Sequence, residues 1–568
     1  MPDPAVNKPF QSSKLIWYFL LAWTILNVIQ SYTLELHADE AYYWLYSRFL
    51  DWGYFDHPPM VALFIRFGDS IMHNELGLRL LTITVSTLSI YFLWLILKKY
   101  GADAKLFIVV IACLFMFHMY GFTTTPDAPL FFFSVLFYFF YRRYIDEDKL
   151  WLALVLGLIV ACLLYSKYHA VLLIGFTVLS NIKLLKRWSF WLIVILAGAL
   201  FIPHILWQVQ HGWPSLNYHL SERSADRYHP EFTYLYPLGQ ILMAGPLIGW
   251  FLFYKAFTVR IKDTFIRCLL VNCIGTLTFF LISSFRGEVQ PQWTFIAFAP
   301  LIMLILISFT QKPVIPKWFY IVAYLNIAVI LIVRFTLIAG IPIGRLQSQF
   351  NFKQWAYAVK QKAGNNYVMF DEGFQNPSKY DYYNNTLKGF AYDSRYYRGT
   401  QFDIWPIEDS LQHKRVFYVL TYKAPGITTD SIKVAAGKWY TGWVDNVRTY
   451  QKITIDNSIY KMGVAAGQKK DFDLVITNPY PYAINFSNKG QLHAVVLEAC
   501  FFNEKGDMQV QQADTTFNKI ALKPQQSAHY NFTLTAPIQK GKYDLIFSIR
   551  TQPFNGSKNS RIVKFTAE

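Results

Sequence analysis

Residues 14–44 read KLIWYFLLAWTILNVIQSYTLELHADEAYYW and contain the first long apolar run of the chain. From Leu15 to Leu34 no residue is charged, over about the 20 residues that a helix needs to cross a bilayer core. The run is long for the apolar core of a signal peptide, and no small-residue cleavage site follows it closely. We therefore predict a retained first transmembrane helix, followed at once by the acidic residues Glu35, Asp39 and Glu40.

Apolar runs of similar length recur as far as about Gly340. The 568 residues are 54% hydrophobic and 16% charged, whereas a soluble protein carries about 25% charged residues. Because lipid offers no hydrogen-bond partners to the backbone, continuous runs of this kind favour helices over a β-barrel. We predict a polytopic α-helical membrane protein of about eleven transmembrane helices. The predicted helices are 15–34, 78–97, 106–122, 130–141, 150–165, 169–182, 190–208, 237–256, 268–285, 294–310 and 318–339.

Lysine and arginine are unevenly shared between alternate loops of this arrangement. The rich loops contain Lys8, Lys14, Lys98, Lys99, Lys105, Arg142, Arg143, Lys149, Lys183, Lys186, Arg187, Lys255, Arg260, Lys262, Arg267, Lys312 and Lys317. The poor loops contain chiefly Arg48, Arg66, Arg79, Lys167, Arg223, Arg227 and Arg286. Because cytoplasmic loops carry the excess of basic residues, we predict a cytoplasmic N-terminus in the inner (plasma) membrane. An odd number of helices then places the residues after Gly340 outside the cytoplasm.

The net charge of +17 has the same origin. Basic residues that lie near anionic lipid headgroups account for much of it. We therefore expect the lipid bilayer as a partner and no nucleic acid.

The last third of the chain reads as water-soluble. We predict a transmembrane domain over 1–344, an extracytoplasmic α/β domain over 345–457 and a small β-sandwich over 458–568. An immunoglobulin-like fold is one form that this sandwich could take, although the Cys…Trp…Cys signature is absent. A sandwich implies no activity by itself, and docking or stabilisation is its simplest role.

Unusual polar residues cluster in the predicted outside loops. The first loop contains Asp39 and Glu40, then Asp56 and His57 within FDHPP at 55–59. Acidic residues beside a helix end are costly if they face lipid, so we expect them to face water or a cavity. The alternative is that they are simply solvated loop charges. Their number, together with the many aromatic residues of the loop, favours a site.

Three later outside loops add candidates, each with an alternative interpretation. Asp127 precedes Pro129 and is either a helix N-cap or a ligand-binding acid. Lys167 either extends to the membrane interface or binds a phosphate. Arg286 either pairs with Glu288 or clamps a phosphate.

No metal-binding pattern or disulfide framework is visible. Four cysteines lie in apolar segments, namely Cys113, Cys162, Cys268 and Cys273, and the fifth, Cys500, lies in the soluble part. His211, His219 and His229 lack the spacing of a metal-binding motif. We expect no required cofactor, and the need for a divalent metal is left open.

These loops resemble those of the GT-C glycosyltransferases, in particular the protein O-mannosyltransferase-like group and the bacterial lipid A aminoarabinose transferases. Asp39-Glu40 resembles the acidic pair after their first helix. Residues 55–59 are similar to the D-x-H-P-P stretch of the O-mannosyltransferases, with one residue fewer between Asp56 and His57. In the aminoarabinose enzymes, a phosphate-binding lysine stands where this chain has His57.

The resemblance continues in two later loops and covers about residues 15–340. Residues 127–129 match the Asp-Pro or Asp-Ser that follows the third helix of the family. Arg286, Trp293 and Pro300 resemble the Gly-Lys…Tyr…Pro passage of the aminoarabinose enzymes, except that Glu288 stands where those enzymes carry lysine. The β-sandwich is not part of the family pattern.

The resemblance implies inverting transfer of a sugar from a polyprenyl-phosphate donor to an acceptor outside the cytoplasm. The acceptor could be a protein hydroxyl, lipid A or another envelope glycan. Asp39 would be the general base, with Glu40 and Asp127 binding sugar hydroxyls or orienting that base. Lys167 and Arg286 would hold the departing phosphate.

The first loop supplies further substrate-binding candidates. His57 is a third candidate ligand of the phosphate, and Asp56 lies beside it in the same motif. Tyr42 and Tyr43, with Trp44 and Trp52 nearby, would stack on the sugar or anchor the chain at the membrane interface.

Two other classes of function are weighed against this one. A transporter or lipid flippase predicts internal repeats and acidic residues near the centre of the membrane, whereas the acidic residues here cluster at one face. A non-catalytic scaffold that presents the β-sandwich would not need the acidic loops. Both therefore fit the sequence less well than a transferase.

The charge pattern predicts which residues an impermeant maleimide can reach in spheroplasts. We expect label on Lys505→Cys without permeabilisation and on Lys99→Cys only after it, because the two positions lie on opposite sides of the membrane. The native chain serves as the background control. Label on Lys99→Cys in intact spheroplasts would contradict the assigned orientation.

Overall fold

The computed structural model describes residues 8–219, 228–312, 314–341, 350–395 and 397–568, with the backbone alone for 8–13. The chain divides into two compact units, Met1–Phe350 and Asn351–Glu568. The first unit is helical, and the second combines helices with many strands. The predicted boundary at 344/345 lies outside the described residues.

The first unit contains sixteen α-helices among its described residues. They are α1 (Lys8–Thr33), α2 (Ala38–Arg48), α3 (Met60–Ile71), α4 (Glu75–Lys98), α5 (Ala104–Cys113), α6 (Phe115–Tyr120), α7 (Asp127–Glu147), α8 (Leu150–Ser166), α9 (Ala170–Ser180), α10 (Trp188–Gln210), α11 (Pro214–Asn217), α12 (Pro230–Ala244), α13 (Gly249–Phe257), α14 (Thr264–Ser283), α15 (Phe298–Gln311) and α16 (Lys317–Ile338).

Within the described residues, six helical segments are long and apolar enough to cross a membrane. They are Lys14–Thr33, Glu75–Lys98, Trp188–Gln210, Thr264–Ser283, Pro291–Gln311 and Lys317–Ile338. The pair α12 and α13 would add a seventh span, although its two halves are bent by 95°. Helices α5, α8 and α9 are apolar but shorter. The chain is therefore a multi-pass membrane protein, and the count of eleven helices stays a prediction.

The structure differs from the sequence prediction in two places that shape the site. Residues 35–76, expected as a loop, contain the helices α2 and α3. Helix α2 begins with a capping box in which the His37 ring and the Glu40 carboxylate satisfy backbone N–H groups at the helix start. The span expected at 237–256 is broken at Gly245, whose φ of +150° ends α12.

Helix α15 is the centre of the helical unit. Every residue from Phe298 to Phe309 is buried. A helix that is apolar on all sides can bury its whole surface only when other helices surround it. Helices α4, α5, α7, α13 and α14 pack against α15.

The second unit contains α17 (Phe352–Ala363), α18 (Gln375–Tyr383) and α19 (Ile407–Leu411). Its strands are β1 (Tyr367–Asp371), β2 (Gly389–Tyr392), β3 (Val416–Leu420), β4 (Asp430–Val434), β5 (Gly437–Val444), β6 (Thr454–Asp456), β7 (Lys461–Val464), β8 (Lys469–Thr477), β9 (Ile484–Asn485), β10 (Val495–Asn503), β11 (Met508–Gln512), β12 (Ala521–Leu522), β13 (Ser527–Thr535), β14 (Gly541–Thr551) and β15 (Val563–Ala567).

The strands form one mixed sheet and a sandwich. The mixed sheet has the order β2-β1-β3-β5-β4, in which β1 is parallel to both β2 and β3. The sandwich faces the sheet β11-β10-β14-β15-β7 with the smaller sheet β13-β8-β6, and their inner residues form one hydrophobic core. The division at 457/458 into two separate domains stays a prediction.

A buried ion-pair cluster joins the loop after β2 to the sandwich. Arg395 lies 2.8 Å from Glu498 Oε2, and Arg550 donates through Nε and Nη2 to Glu498 Oε1 at 2.9 and 2.7 Å. Burial alone would raise the pKa of Glu498, but the hydrogen bonds and charges of Arg550 and Arg395 lower it below the usual value. The carboxylate is therefore ionised where the two parts of the unit meet.

Replacing Glu498 by Gln should destabilise the second unit. Removing one partner of a buried ion pair leaves uncompensated charge, which costs about 3–5 kcal/mol of unfolding free energy. Denaturant unfolding of the purified full-length protein measures this loss. The control is Asp544→Asn, which removes an exposed pair with Lys564 and should cost about 1 kcal/mol or less. Equal losses in the two variants would contradict the assigned role of Glu498.

Candidate active site

A cavity of 1130 Å³ lies inside the first unit, at the ends of several helices. Most of the predicted site residues border it. Those that do are Asp39, Glu40, Tyr43, His57, Asp127, Lys167 and Arg286. Asp56 and Tyr42, also predicted as substrate-binding residues, are buried beside the cavity without lining it.

Asp39 lies in the first turn of α2 and remains partly accessible. Its side chain is 39% exposed, and Oδ2 lies 3.6 Å from Nδ1 of His37. The N-terminus of a helix favours a carboxylate, because the backbone dipoles present positive charge there. Asp39 is thus an accessible, anionic acid at the edge of the cavity.

Glu40, its neighbour, is completely buried and serves the structure. Arg79 of α4 donates to Glu40 Oε1 through Nε at 2.8 Å and to Oε2 through Nη2 at 2.6 Å. The backbone N–H groups of Thr124 and His37 donate to the same two oxygens at 2.9 and 3.0 Å. Burial alone would raise the pKa of Glu40, but the charge of Arg79 and these hydrogen bonds lower it. The carboxylate is an ionised clamp between α2, α4 and the segment before α7.

Asp127 and Lys167 form a second buried ion pair at the cavity. Lys167 Nζ donates to both carboxylate oxygens of Asp127, at 2.8 and 2.9 Å. Asp127 is the first residue of α7, and Lys167 follows the last residue of α8, so each charge lies at the helix end that favours it. The ammonium has three N–H groups, and no residue in the described part of the chain accepts from the third, which leaves it for a ligand. Of the alternatives for Lys167, this position favours ligand binding over interface anchoring.

Tyr43 lies among the acidic residues of the site. Its pKa is raised well above the usual value, first by burial and then by the charges of Asp39, Asp56 and Asp127. The phenol therefore keeps its proton. A protonated hydroxyl between several carboxylates can donate a hydrogen bond to one of them or to a ligand.

Asp56 and Tyr42 belong to the aromatic cluster behind the site. Asp56 accepts a hydrogen bond of 2.6 Å from the hydroxyl of Tyr46, and its backbone oxygen bonds to Nε2 of His219 at 3.2 Å. Tyr42 packs edge-on against Tyr46 at 4.8 Å between ring centroids. Asp56 and Tyr42 therefore support the cavity wall from behind, whereas His57 and Tyr43 border the cavity itself.

Basic groups occupy other parts of the lining. His57 packs against Tyr43, with ring centroids 5.8 Å apart. Arg286, in the segment after α14, is exposed and borders the cavity together with Glu288. Arg223 and Arg227 lie outside the described residues.

The rest of the lining is largely apolar, which the motif analysis did not predict. These residues come from six helices and include Phe115, Met119, Val171, Leu172, Phe201, Ile205, Leu216, Met243, Phe279 and Phe280. A cavity with acidic and basic groups beside a large apolar wall suits an amphipathic ligand. The polar residues Thr125, Tyr168, Gln208 and Ser215 also border it. Gln208, the last residue of the predicted helix 190–208, lies inside α10, which continues to Gln210.

The neighbours Asp39 and Glu40 should respond differently to neutralisation. Glu40→Gln leaves the buried guanidinium of Arg79 without its counter-charge and should lower the unfolding free energy by about 3–5 kcal/mol. Asp39→Asn removes a partly exposed charge and should change it by less than about 1 kcal/mol. Thermal unfolding of both variants in detergent checks the difference. A loss at Asp39 as large as that at Glu40 would contradict these separate roles.

Comparison with known proteins finds one matching family model and solved structures of similar fold. Residues 56–207 match the family model described as dolichyl-phosphate-mannose-protein mannosyltransferase. The crystal structure of ArnT from Cupriavidus metallidurans in the apo state is similar, with a TM-score of 0.59 at 12% identity. The same protein bound to undecaprenyl phosphate gives 0.57 at 13% identity, and each match covers 77% of this chain and 98% of ArnT.

The protein O-mannosyltransferase Pmt1-Pmt2 complex of S. cerevisiae, bound to the sugar donor, matches over 40% of this chain and 37% of its own. The TM-score is 0.29 at 14% identity, which is too low to carry an argument. No curated protein matches the sequence. The ArnT-like fold confirms the predicted fold class. The chain has the GT-C-type membrane fold that ArnT has, and its residues 56–207 resemble the dolichyl-phosphate-mannose-protein mannosyltransferases.

Proposed function

We propose that this glycosyltransferase transfers a sugar from a polyprenyl-phosphate donor to a hydroxyl group of an extracytoplasmic acceptor, with inversion at the anomeric carbon. The observation that carries the proposal is the convergence of Asp39, Asp127 and Lys167 on one cavity with a large apolar wall. A lipid-linked phosphosugar has this combination of properties, since its tail is apolar and its head is both anionic and rich in hydroxyls. The undecaprenyl phosphate bound to ArnT, which has a similar fold, supports the same class of donor.

Asp39 is the general base of the proposed reaction. Its carboxylate takes the proton of the acceptor hydroxyl as that oxygen bonds to the anomeric carbon. The bond between the anomeric carbon and the phosphate oxygen breaks at the same time, and polyprenyl phosphate leaves with the electron pair. Asp39 suits this task because it is accessible from the cavity.

Cationic groups stabilise the charge that develops on the departing phosphate. The third N–H group of Lys167 is one such donor, and Arg286 and His57 border the same cavity. Because the phosphate is already a fair leaving group, stabilisation by charge can replace a strong general acid. Asp127 holds Lys167 in place and has lone pairs left for a sugar hydroxyl.

Glu40 and Asp56 act through other residues. Glu40 fixes the first turn of α2 and therefore the position of Asp39. Asp56 orders Tyr46 and, through its backbone oxygen, His219. Tyr43 offers a hydroxyl and an aromatic face to the sugar.

The charge pattern sets the orientation of the proposed enzyme. The excess of basic residues in the predicted cytoplasmic loops supports a position of the cavity at the outer face of the inner membrane. The lipid tail of the donor then stays in the bilayer, while the phosphosugar reaches the acidic end of the cavity.

Asp39→Asn should lower the rate of transfer by about 10²- to 10⁴-fold, because it removes the general base. The measurement is mass spectrometry of envelope glycans from cells that lack the protein and are complemented with each variant. Protein abundance in the membrane is measured in parallel. The matched control is Asp146→Asn, which neutralises an exposed acid near the opposite end of α7 from Asp127. Unchanged glycans with Asp39→Asn would exclude this residue as the base.

A further inference from the structure

One wall of the cavity is a chain of polar side chains that the proposed mechanism does not use. Tyr168 follows Lys167, Gln208 lies near the end of α10, and Ser215 belongs to α11. All three border the cavity. The Gln208 side chain is almost completely buried, with 4% of the residue exposed.

Two backbone carbonyl groups determine the direction of the hydrogen bonds among these polar side chains. The ring of His204 bonds through Nδ1 to the backbone oxygen of Trp52 at 2.7 Å, so Nδ1 carries the hydrogen. In a neutral imidazole Nε2 is then an acceptor, and the hydroxyl of Tyr168 donates to it at 3.1 Å. At the other end, Ser215 donates its hydroxyl hydrogen to the backbone oxygen of Tyr54 at 3.0 Å.

Both hydroxyl groups have therefore used their hydrogens and can only accept from Gln208. Its Nε2 donates to the hydroxyl oxygen of Tyr168 at 3.2 Å and to that of Ser215 at 2.8 Å. This fixes the orientation of the amide, since a flipped amide would place its oxygen against two oxygens that have no hydrogen to give. Both N–H groups of Gln208 are consumed, and Oε1 is left over.

Gln208 Oε1 has no hydrogen-bond partner among the described residues and is shielded from solvent. A buried acceptor without a donor is unfavourable, and native structures rarely retain one without a reason. A second such atom, the hydroxyl oxygen of Thr125, borders the same cavity two residues before Asp127. Thr125 and Gln208 thus border the same cavity as the Asp127–Lys167 pair, each with a buried polar atom that has no partner among the described residues.

We propose that Gln208 determines the specificity of this enzyme for the sugar of the lipid-linked substrate. Its Oε1 accepts a hydrogen bond from a hydroxyl or amine group of that sugar. The inference rests on the proposed function, since it assigns one subsite of the same cavity. This hydrogen bond gives Oε1 the N–H or O–H partner that the described residues do not provide.

The chemistry of the atom restricts what it can bind. An amide oxygen only accepts, so it cannot bind an ionised phosphate or carboxylate, which carry no hydrogen to donate. The phosphate of the donor must therefore lie elsewhere, toward Lys167 and Arg286. The sugar position that faces Gln208 carries a hydroxyl or amine and not the carboxylate of a uronic acid.

The experiment compares binding of two lipids to the purified full-length protein in nanodiscs. One probe is undecaprenyl phosphate alone, and the other is undecaprenyl phosphate linked to mannose, glucose or galactose. Gln208→Met keeps the volume of the side chain and removes both the acceptor and the donors. The matched control is Gln210→Met, the same substitution at an exposed position of the same helix.

For the hexose lipid that the native protein binds, we expect Gln208→Met to raise Kd about tenfold, the effect of one lost hydrogen bond. The Kd for undecaprenyl phosphate alone should not change, and Gln210→Met should match the native protein with both probes. An analogue that lacks the hydroxyl facing Gln208 should bind the native protein and Gln208→Met equally, because the two losses remove the same bond.

Other outcomes overturn the inference. Equal weakening of both probes would mean that Gln208 contacts the lipid phosphate or only supports the fold. Unchanged binding of the glycosylated lipid, with a raised KM for the acceptor, would assign the residue to the acceptor instead. If the native protein binds and transfers from none of the polyprenyl-phosphate sugars, the proposed function itself fails, which is distinguishable from failure of this subsite.

Discussion

The ion pair between Arg79 and Glu40 is the interaction on which the geometry of the site depends. All five N–H groups of the guanidinium are engaged. Two bind the oxygens of Glu40, and the others donate to the backbone oxygens of Ser31, Leu34 and Glu35 at the end of α1. One buried side chain of α4 therefore holds both the last turn of α1 and the first turn of α2.

The same carboxylate also sets the position of α7. Glu40 accepts from the backbone N–H of Thr124, three residues before Asp127 begins that helix. The acidic side chains of the cavity consequently share one anchor. Asp39 borders the cavity, while Glu40, beside it on the helix, pairs with the buried guanidinium of Arg79. Of these two adjacent acids, one is thus structural, and the other is the proposed general base.

The loop between α2 and α3 also positions side chains at the cavity. Its backbone oxygens at Trp52 and Tyr54 accept from His204 and Ser215, and so determine the direction of the hydrogen bonds that reach Gln208. The segment that carries the FDHPP motif is therefore a template for the polar wall as well as a source of His57. Together with the apolar residues of the lining, this polar wall fits the proposed donor, which has a polar sugar and an apolar tail.

The sequence alone was sufficient to predict the helical membrane part, the strand-rich C-terminal part and acidic and basic residues that border the cavity, whereas the count of eleven membrane helices stays a prediction. These features depend on local properties, because apolar runs and charges beside helix ends are constrained by the bilayer itself. The tertiary structure was needed to separate Asp39 from Glu40, to place Asp56 and Tyr42 behind the wall, and to reveal Arg79 and Gln208. Their roles depend on partners that are distant in the chain, such as Glu40 for Arg79 and Tyr168 for Gln208. Which hydrogen-bond donors and acceptors remain unused can be known only after folding has paired the rest.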